Sequence, residues 1–272
     1  MVKKMIKLSW LFILNLVSIL ALASAPEVDL NEGNNSSEKG LIIAQKSDWH
    51  YQGYEDSIAS LNMILTQANG TEATRELRIK TFEIPEDGDK SIVIFDSPSD
   101  QRGVALLSYA HKVEADDQFL YLPALKRVKK LASRNKSGPF VGSEFAFEDV
   151  SRQEVEKYNY DYTGIEVYGD DSCYKLVKTP KDPYSGYSYQ VHWIEQKNLL
   201  TKKIDFYDKK ESLLKTLEFT EYKKVNGYWR AMKSIMTNHQ NQKSTTLIVN
   251  DLQISSGLEE REFTKNALKR AK

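Results

Sequence analysis

Six stretches between Gly169 and Ile254 read as strands and follow one another across very short separators: GDDSCYKLVKTP, YSYQVHWIEQ, LLTKKIDFYD, LLKTLEFTEYKKV, YWRAMKSIMTNH and KSTTLIVNDLQI. The separators include Asp182-Pro183, Lys197-Asn198, Asp208-Lys209-Lys210 and Asn226-Gly227. A parallel return needs a crossover of a dozen residues or more, so neighbours joined this closely must be antiparallel hairpin partners. The same reading holds upstream. Ala59, Leu61, Met63 and Leu65 share one face, Asn69-Gly70 tolerates the positive φ of a tight turn, and Leu77 and Ile79 return on the next strand. The turn at Pro85 to Asp89 leads into SIVIFDS, and two more strands, Gly103 to Val113 and Phe119 to Leu131, are joined by the acidic turn at Glu114 to Asp117. The spacing predicts a mainly β chain of about eleven strands in one antiparallel meander.

Alternation fails between Ser133 and Tyr162, where FVGSEFAFEDVSRQEVEKY reads as a loop with one or two short helices, anchored by Phe140, Phe145 and Phe147. A further short helix is expected after Ser37 as N-cap, with Leu41, Ile42, Ala44 and Gln45 as its stripe. The tail REFTKNALKRAK reads as a short basic helix or a frayed end.

Lys3, Lys4 and Lys7 precede the largely apolar run Leu8 to Leu22, and Ala21-Leu22-Ala23 fits a small-x-small cleavage rule, so residues 1–23 are expected to be a signal peptide. An uncleaved anchor is the alternative reading. Residues 24–37 then form a polar, flexible leader and 38–272 a single domain. Cleavage leaves 35 basic and 38 acidic residues, a balance that argues against a nucleic-acid-binding surface. The lone Cys173 can form no internal disulfide, so an exported chain must be held by its core.

A sheet this large must curl and cover its apolar face, yet the short helix and the Phe-bearing insertion are the only covers in sight. Either the sheet closes and fills its own middle, or it stays open around a cavity. Met63, Leu65, Phe95, Leu106, Trp193, Phe206, Phe219 and Trp229 each fit ordinary core packing, but together they could form an elongated apolar groove. Each buried methylene contributes about 0.8 kcal/mol, so an acyl chain of about 16 carbons could gain roughly 10 kcal/mol there.

Motifs for hydrolysis, metal binding or nucleotide binding are absent: there is no G-x-S-x-G, H-E-x-x-H, Walker loop or G-x-G-x-x-G. His50, His111, His192 and His239 lack ligand spacing, and Cys173 reads as a buried, inert thiol. No catalytic, cofactor or metal residue is therefore assigned.

One segment is unlike the rest. QFLYLPALKRVKKLASRNKSGPFVGSEF holds six basic residues and, between Asp117 and Glu144, no acidic one. Alternation ends both faces of Phe119 to Leu131 in charge, which a strand inside a barrel cannot do. Its second half must run along an edge or at a mouth, where Pro123 also fits. Lys126, Arg127, Lys129, Lys130 and Arg134 are either an edge guarded against aggregation or a lip that meets anionic headgroups or an acidic partner.

YLPALKRVKKLASRNKSGPFVGSEFAFED, with GLIIAQKSDWHYQGYED, MILTQANGTEATRELRIKTFE, SCYKLVKTPKD and NGYWRAMKSIMTNH, resembles the outer-membrane lipoprotein-sorting-like family, similar to the periplasmic carrier LolA and its receptor LolB. The resemblance implies an open half-barrel, a single strongly curved antiparallel sheet with short helices as a lid over an apolar cavity. It also implies a non-enzymatic, monomeric periplasmic carrier of lipoprotein acyl chains or lipid that touches membranes transiently and receives cargo from an RND/MMPL-type transporter. Phe140, Phe145 and Phe147 would then belong to the lid. Two rivals stay open: a transporter adaptor with a fully packed barrel, and a lipid hydrolase, which would need His192 or His239 beside Ser and Asp in a cavity.

Overall fold

The computed structural model describes residues 24–270; the expected signal segment 1–23 lies outside the described residues. Thirteen strands form one antiparallel sheet: β1 (Asp56–Thr66), β2 (Glu72–Phe82), β3 (Lys90–Ser97), β4 (Ala105–Tyr109), β5 (Asp117–Leu122), β6 (Arg127–Lys130), β7 (Tyr158–Tyr168), β8 (Asp171–Pro180), β9 (Tyr189–Glu195), β10 (Thr201–Tyr207), β11 (Leu213–Val225), β12 (Tyr228–Asn238) and β13 (Ser244–Ile254). The spatial order is β6-β5-β4-β3-β2-β1-β13-β12-β11-β10-β9-β8-β7, so within β1–β6 and within β7–β13 each strand lies beside its neighbour in sequence, and the long-range pairing of β1 with β13 joins the two halves. The sheet does not close. Its free edges are β6 and β7, which are consecutive in the chain, so residues 131–157 must travel from one edge to the other.

That crossing defines an inner face. Phe140, Phe145 and Leu131 come down on Leu61, Met63, Leu65, Leu77, Phe95 and Leu106 of the first half and reach Phe206, Leu217 and Met236 of the second. A buried ion pair fixes the crossing from below: Lys215 Nζ on β11 lies 2.6 Å from Asp149 Oδ2 and donates to Glu144 O at 2.9 Å. Helix α1 (Ser36–Ser47) covers the far end, packing Ile43 and Ala44 on Tyr160, Tyr174, Leu176 and Ile194. The outer face of β3–β5 is sealed by the tail, where Phe263 and Leu268 of the short helix α2 (Lys265–Leu268) and its approach meet Ile92, Ile94, Leu107 and Phe119.

Several expectations are corrected. The strand expected over Phe119 to Leu131 is a hairpin: Pro123–Leu125 form a 3-10 turn, Lys126 takes φ 50° as its left-handed cap, and β5 pairs with β6. β7 went unread because its Tyr158, Tyr160 and Tyr162 alternation is broken by a register shift between Tyr162 and Gly164, where Gly164 adopts φ 131°. These two changes raise the count from about eleven to thirteen.

Helix α1 starts two residues early. Asn35 rather than Ser37 is the N-cap, accepting from Glu38 N, and the buried stripe is Gly40, Ile43 and Ala44, while Leu41 is exposed. Gly40 sets this rotation, since a Cβ there would sit 3.0 Å from the Tyr162 backbone nitrogen. Ala25, Val28 and Leu30, expected in a flexible leader, lie against the same cluster as Ile43.

Candidate functional site

Between α1, the end of the crossing segment and the inner face lies a cavity of about 480 Å³. Residues of β1–β4 (Ser57, Ile79, Thr81, Ser91, Ser108) and of β8–β11 (Leu176, Ile194, Ile204, Phe206, Leu217, Phe219) line the same space, so the sheet wraps around it. Leu199, Leu200 and Trp229 extend the apolar wall. The alternation of the strands places these side chains inward, because β8 and β9 put Cys173, Val191 and Trp193 on the opposite face.

One wall is charged. Arg152, from the crossing segment, lies 2.8 Å from Asp48 Oδ2, 3.1 Å from Asp89 Oδ2 and 3.3 Å from Glu154 Oε2, and donates to Tyr51 O at 2.6 Å. Burial pushes the Glu154 carboxyl up to about 7 against the pull of Arg152. Tyr54 Oη donates to Asp89 at 2.8 Å, completing a network that ties the loop after α1 to the crossing segment and the start of β3.

Lys178 of β8 is buried, donates to Gln153 Oε1 at 2.9 Å and sits 3.8 Å above the Tyr158 ring; burial brings its ammonium down to about 7. Beside it, His192 shares a hydrogen bond of 2.9 Å with Gln190 Oε1, and burial followed by Lys178 holds the imidazole well below its ordinary range, hence neutral. Arg230 of β12 faces Tyr51, Tyr54 and Tyr228 with its guanidinium 5.3, 5.4 and 5.5 Å from their ring centroids.

Of the residues singled out as an acyl groove, Phe206, Phe219 and Trp229 line the cavity. Met63, Leu65, Phe95, Leu106, Phe140, Phe145 and Phe147 instead pack with one another on the inner face, with Phe95 and Phe147 at 5.7 and 5.5 Å from the Phe140 ring. Trp193 is on the outer face, under Lys203 at 4.2 Å and Lys175 at 5.1 Å. Lys126, Arg127, Lys129, Lys130 and Arg134 are exposed at or beside the β6 edge, and Lys130 is held 2.6 Å from Asp117 Oδ1.

Sequence reasoning missed the charged wall. Lys178 shares parity with Tyr174 and Leu176, so its inward position was legible; the meeting of Arg152 with Asp48 and Asp89 was not, because it joins segments about 40 to 100 residues apart.

Among the described residues, neither His192 nor His239 forms a nucleophile–base–orienter chain with Ser and Asp in the cavity. His239 lies with Thr216 and Asp205 outside the cavity lining, and there the Thr216 hydroxyl donates to Asp205 Oδ1 at 2.7 Å and contacts His239 Nε2 at 2.8 Å. With both partners on the hydroxyl, no acid orients the imidazole as a base. Burial pushes the Cys173 thiol up to about 11, which keeps it in its unreactive form.

A family model described only as "-like: Uncharacterized protein" matches residues 87–270. No curated protein matches. Among solved structures, a domain assigned to outer-membrane lipoprotein sorting from Vibrio parahaemolyticus is 49% identical, with TM-score 0.84, covering 86% of this chain and 100% of its own. A DUF1329 family protein from Desulfovibrio piger is 28% identical over 86% of this chain and 99% of its own, with TM-score 0.82. A LolA superfamily protein from Nitrosomonas europaea, 21% identical over 83% of this chain and 97% of its own, shares the fold with TM-score 0.68.

Proposed function

The chain belongs to the outer-membrane lipoprotein-sorting family, and from that premise we propose that it is a non-enzymatic carrier which holds acyl chains of a lipoprotein or lipid in the inner-face cavity. The observation that carries this reading is the cavity itself. About 480 Å³ left between an open sheet and its cover falls within the size of small-molecule pockets and has an apolar wall of Leu176, Ile194, Leu199, Ile204, Phe206, Leu217 and Phe219.

In this reading α1 and the 131–157 segment act as the lid. The segment suits that role physically: it is built of 3-10 turns and loops with no strand pairing to the sheet, anchored at one end by Phe140 and Phe145 in the core and tied elsewhere by polar contacts. One of them runs from Arg75 of β2 to Val141 O, where Val141 is held at φ 47°. Loading then requires displacing a segment rather than breaking a strand ladder. The basic β6 edge would dock on anionic headgroups or an acidic partner such as an RND/MMPL-type transporter, and the protein would act as a monomer in the periplasm after cleavage following Ala23. The rival adaptor reading expected a filled interior, which the cavity volume disfavours.

Native mass spectrometry of protein purified gently from a bacterial envelope, with lipid extraction of the same sample, tests the proposal. The expected result is a stoichiometric adduct that extracts as lipid. A bare polypeptide mass, unchanged after incubation with membranes, would overturn it.

A further inference from the structure

The two arginines in the cavity wall are equipped very differently. Arg152 has three carboxylates around it, Asp48, Asp89 and Glu154. Arg230 has none: among the described residues it forms no ion pair, and its hydrogen bonds are from Nη1 alone, to His50 O at 2.7 Å and Trp229 O at 2.9 Å. Its Nε and Nη2 groups donate to nothing among the described residues, yet they are not among the sealed, unpartnered polar atoms of the interior. A guanidinium carries five donors in a fixed fork, and the Nε and Nη2 edge is one that takes a carboxylate or phosphate in two parallel bonds.

The rest of the group is immobilised. Tyr51, Tyr54 and Tyr228 surround the guanidinium, and two of these rings are themselves held, Tyr54 Oη by Asp89 and Tyr228 Oη by Gly53 O. Aromatic faces tolerate a guanidinium where water has been removed, and they leave its in-plane edge open. Tyr51 also lies 5.9 Å from the Arg152 guanidinium, whose own carboxylates satisfy it, so the two arginines share one aromatic wall while only Arg230 is left without an anion.

We propose that Arg230 is an oxyanion site at the polar end of the cavity, which receives the phosphate or carboxylate group of an amphiphile whose chain lies along Ile204, Leu217 and Phe219. This deepens the carrier reading and rests on it for the chain, but the anion site has its own observations. It places the headgroup inside the protein rather than on the basic β6 edge.

The test uses the full mature chain with two matched probes, dodecyl phosphate and dodecanol, titrated by calorimetry, and inorganic phosphate as a third. Wild type is expected to bind dodecyl phosphate at least about tenfold more tightly than dodecanol, which corresponds to about 1.4 kcal/mol. Arg230→Gln should bring the two within about twofold by weakening dodecyl phosphate, and Arg230→Lys, which keeps charge without the fork, should fall between. The wild-type ratio needs no variant, so a misfolded Arg230→Gln protein does not spare the idea.

Equal wild-type affinities would overturn the anion site and leave the carrier reading intact. If neither amphiphile binds but inorganic phosphate raises the melting temperature of wild type and not of Arg230→Gln, the anion site stands for free phosphate and the carrier reading falls. No binding and no shift would remove both.

Discussion

The inner face of the sheet has two halves along the length of its strands, and they are covered in opposite ways. Toward Leu65, Leu77, Phe95 and Leu106 the crossing segment lowers Phe140, Phe145 and Phe147, and the side chains pack into one cluster. Toward Ser57, Thr81, Ser91 and Trp229 the cover is α1 with the charged stretch around Arg152, and space remains. Rings interdigitate to interior density. Charged groups that must satisfy one another at fixed distances cannot collapse in the same way, so the polar half keeps room for a ligand while the aromatic half anchors the cover.

The sharpest way to break this comparison is at the ring with the most to lose. Phe140 is 1% exposed and touches Phe95 and Phe147, so Phe140→Ala should destabilise by about 3–5 kcal/mol in urea unfolding. A loss under about 1 kcal/mol would mean that the aromatic half is no better packed than the polar one.

Next comes Arg152→Met, which strands Asp48, Asp89 and Glu154 without a cation. Removing one partner of a buried charge network costs about 3–5 kcal/mol, and this value is reduced here because the Arg152 and Asp48 side chains each keep 16% exposure. The deficit should shrink as the Glu154 carboxyl, raised to about 7, takes up its proton, so unfolding at pH 5 and pH 8 separates charge from packing: an equal deficit at both would contradict the electrostatic reading.

Two buried groups give the polar half a pH signature. The Glu154 carboxyl is raised to about 7 in the folded protein, so the folded state binds the extra proton between its ordinary range and 7, and stability falls as pH rises through that window. The Lys178 ammonium is lowered to about 7, so the unfolded state binds the extra proton above 7, and stability rises from there toward the ordinary lysine range. Lys178→Met should flatten the rise above pH 7, a slope of up to about 1.4 kcal/mol per pH unit, and leave the Glu154 limb in place. An unchanged slope would show that Lys178 titrates normally.

A smaller effect is expected where the aromatic cover meets β2. Arg75→Met removes the donor to Val141 O and should lower stability by about 1–3 kcal/mol, with faster uptake of a fluorescent acyl probe in stopped flow. Uptake at the wild-type rate would sink the idea that this contact restrains the segment.

The smallest stability change belongs to the β6 edge. Lys126→Glu with Arg127→Glu and Lys129→Glu should shift folding by under about 0.5 kcal/mol per site, since all three are exposed, but should abolish co-sedimentation with anionic vesicles. Vesicle binding that survives would return this edge to a guard against aggregation.

How much of this could be read beforehand varies by element. The hairpin Asn69-Gly70 was legible because the backbone itself demands those residues, with Gly70 at φ 82°, and the face of Leu61, Met63 and Leu65 was fixed by parity alone. The β5–β6 turn was not, because Leu-Lys at its end gives no sign that Lys126 adopts a left-handed backbone. The buried stripe of α1 was misread because Gly40, which sits against the Tyr162 backbone, carries no hydrophobic signal. Phe206, Phe219 and Trp229 line the cavity, but nothing local distinguished them from Phe95, which is core, or Trp193, which faces outward.

Local chemistry thus determined what is periodic: the antiparallel meander, its turns, the irregular Phe-bearing insertion and the basic edge, since each depends on residues within a dozen positions of one another. The tertiary structure alone decided that the sheet stays open with β6 and β7 as edges, that 131–157 crosses its inner face, and that Arg152 gathers three acids while Arg230 is left with three tyrosines. Those facts depend on which distant segments come together, and the balance of burial, hydrogen bonding and charge that selects the pairings belongs to the whole chain rather than to any stretch of it.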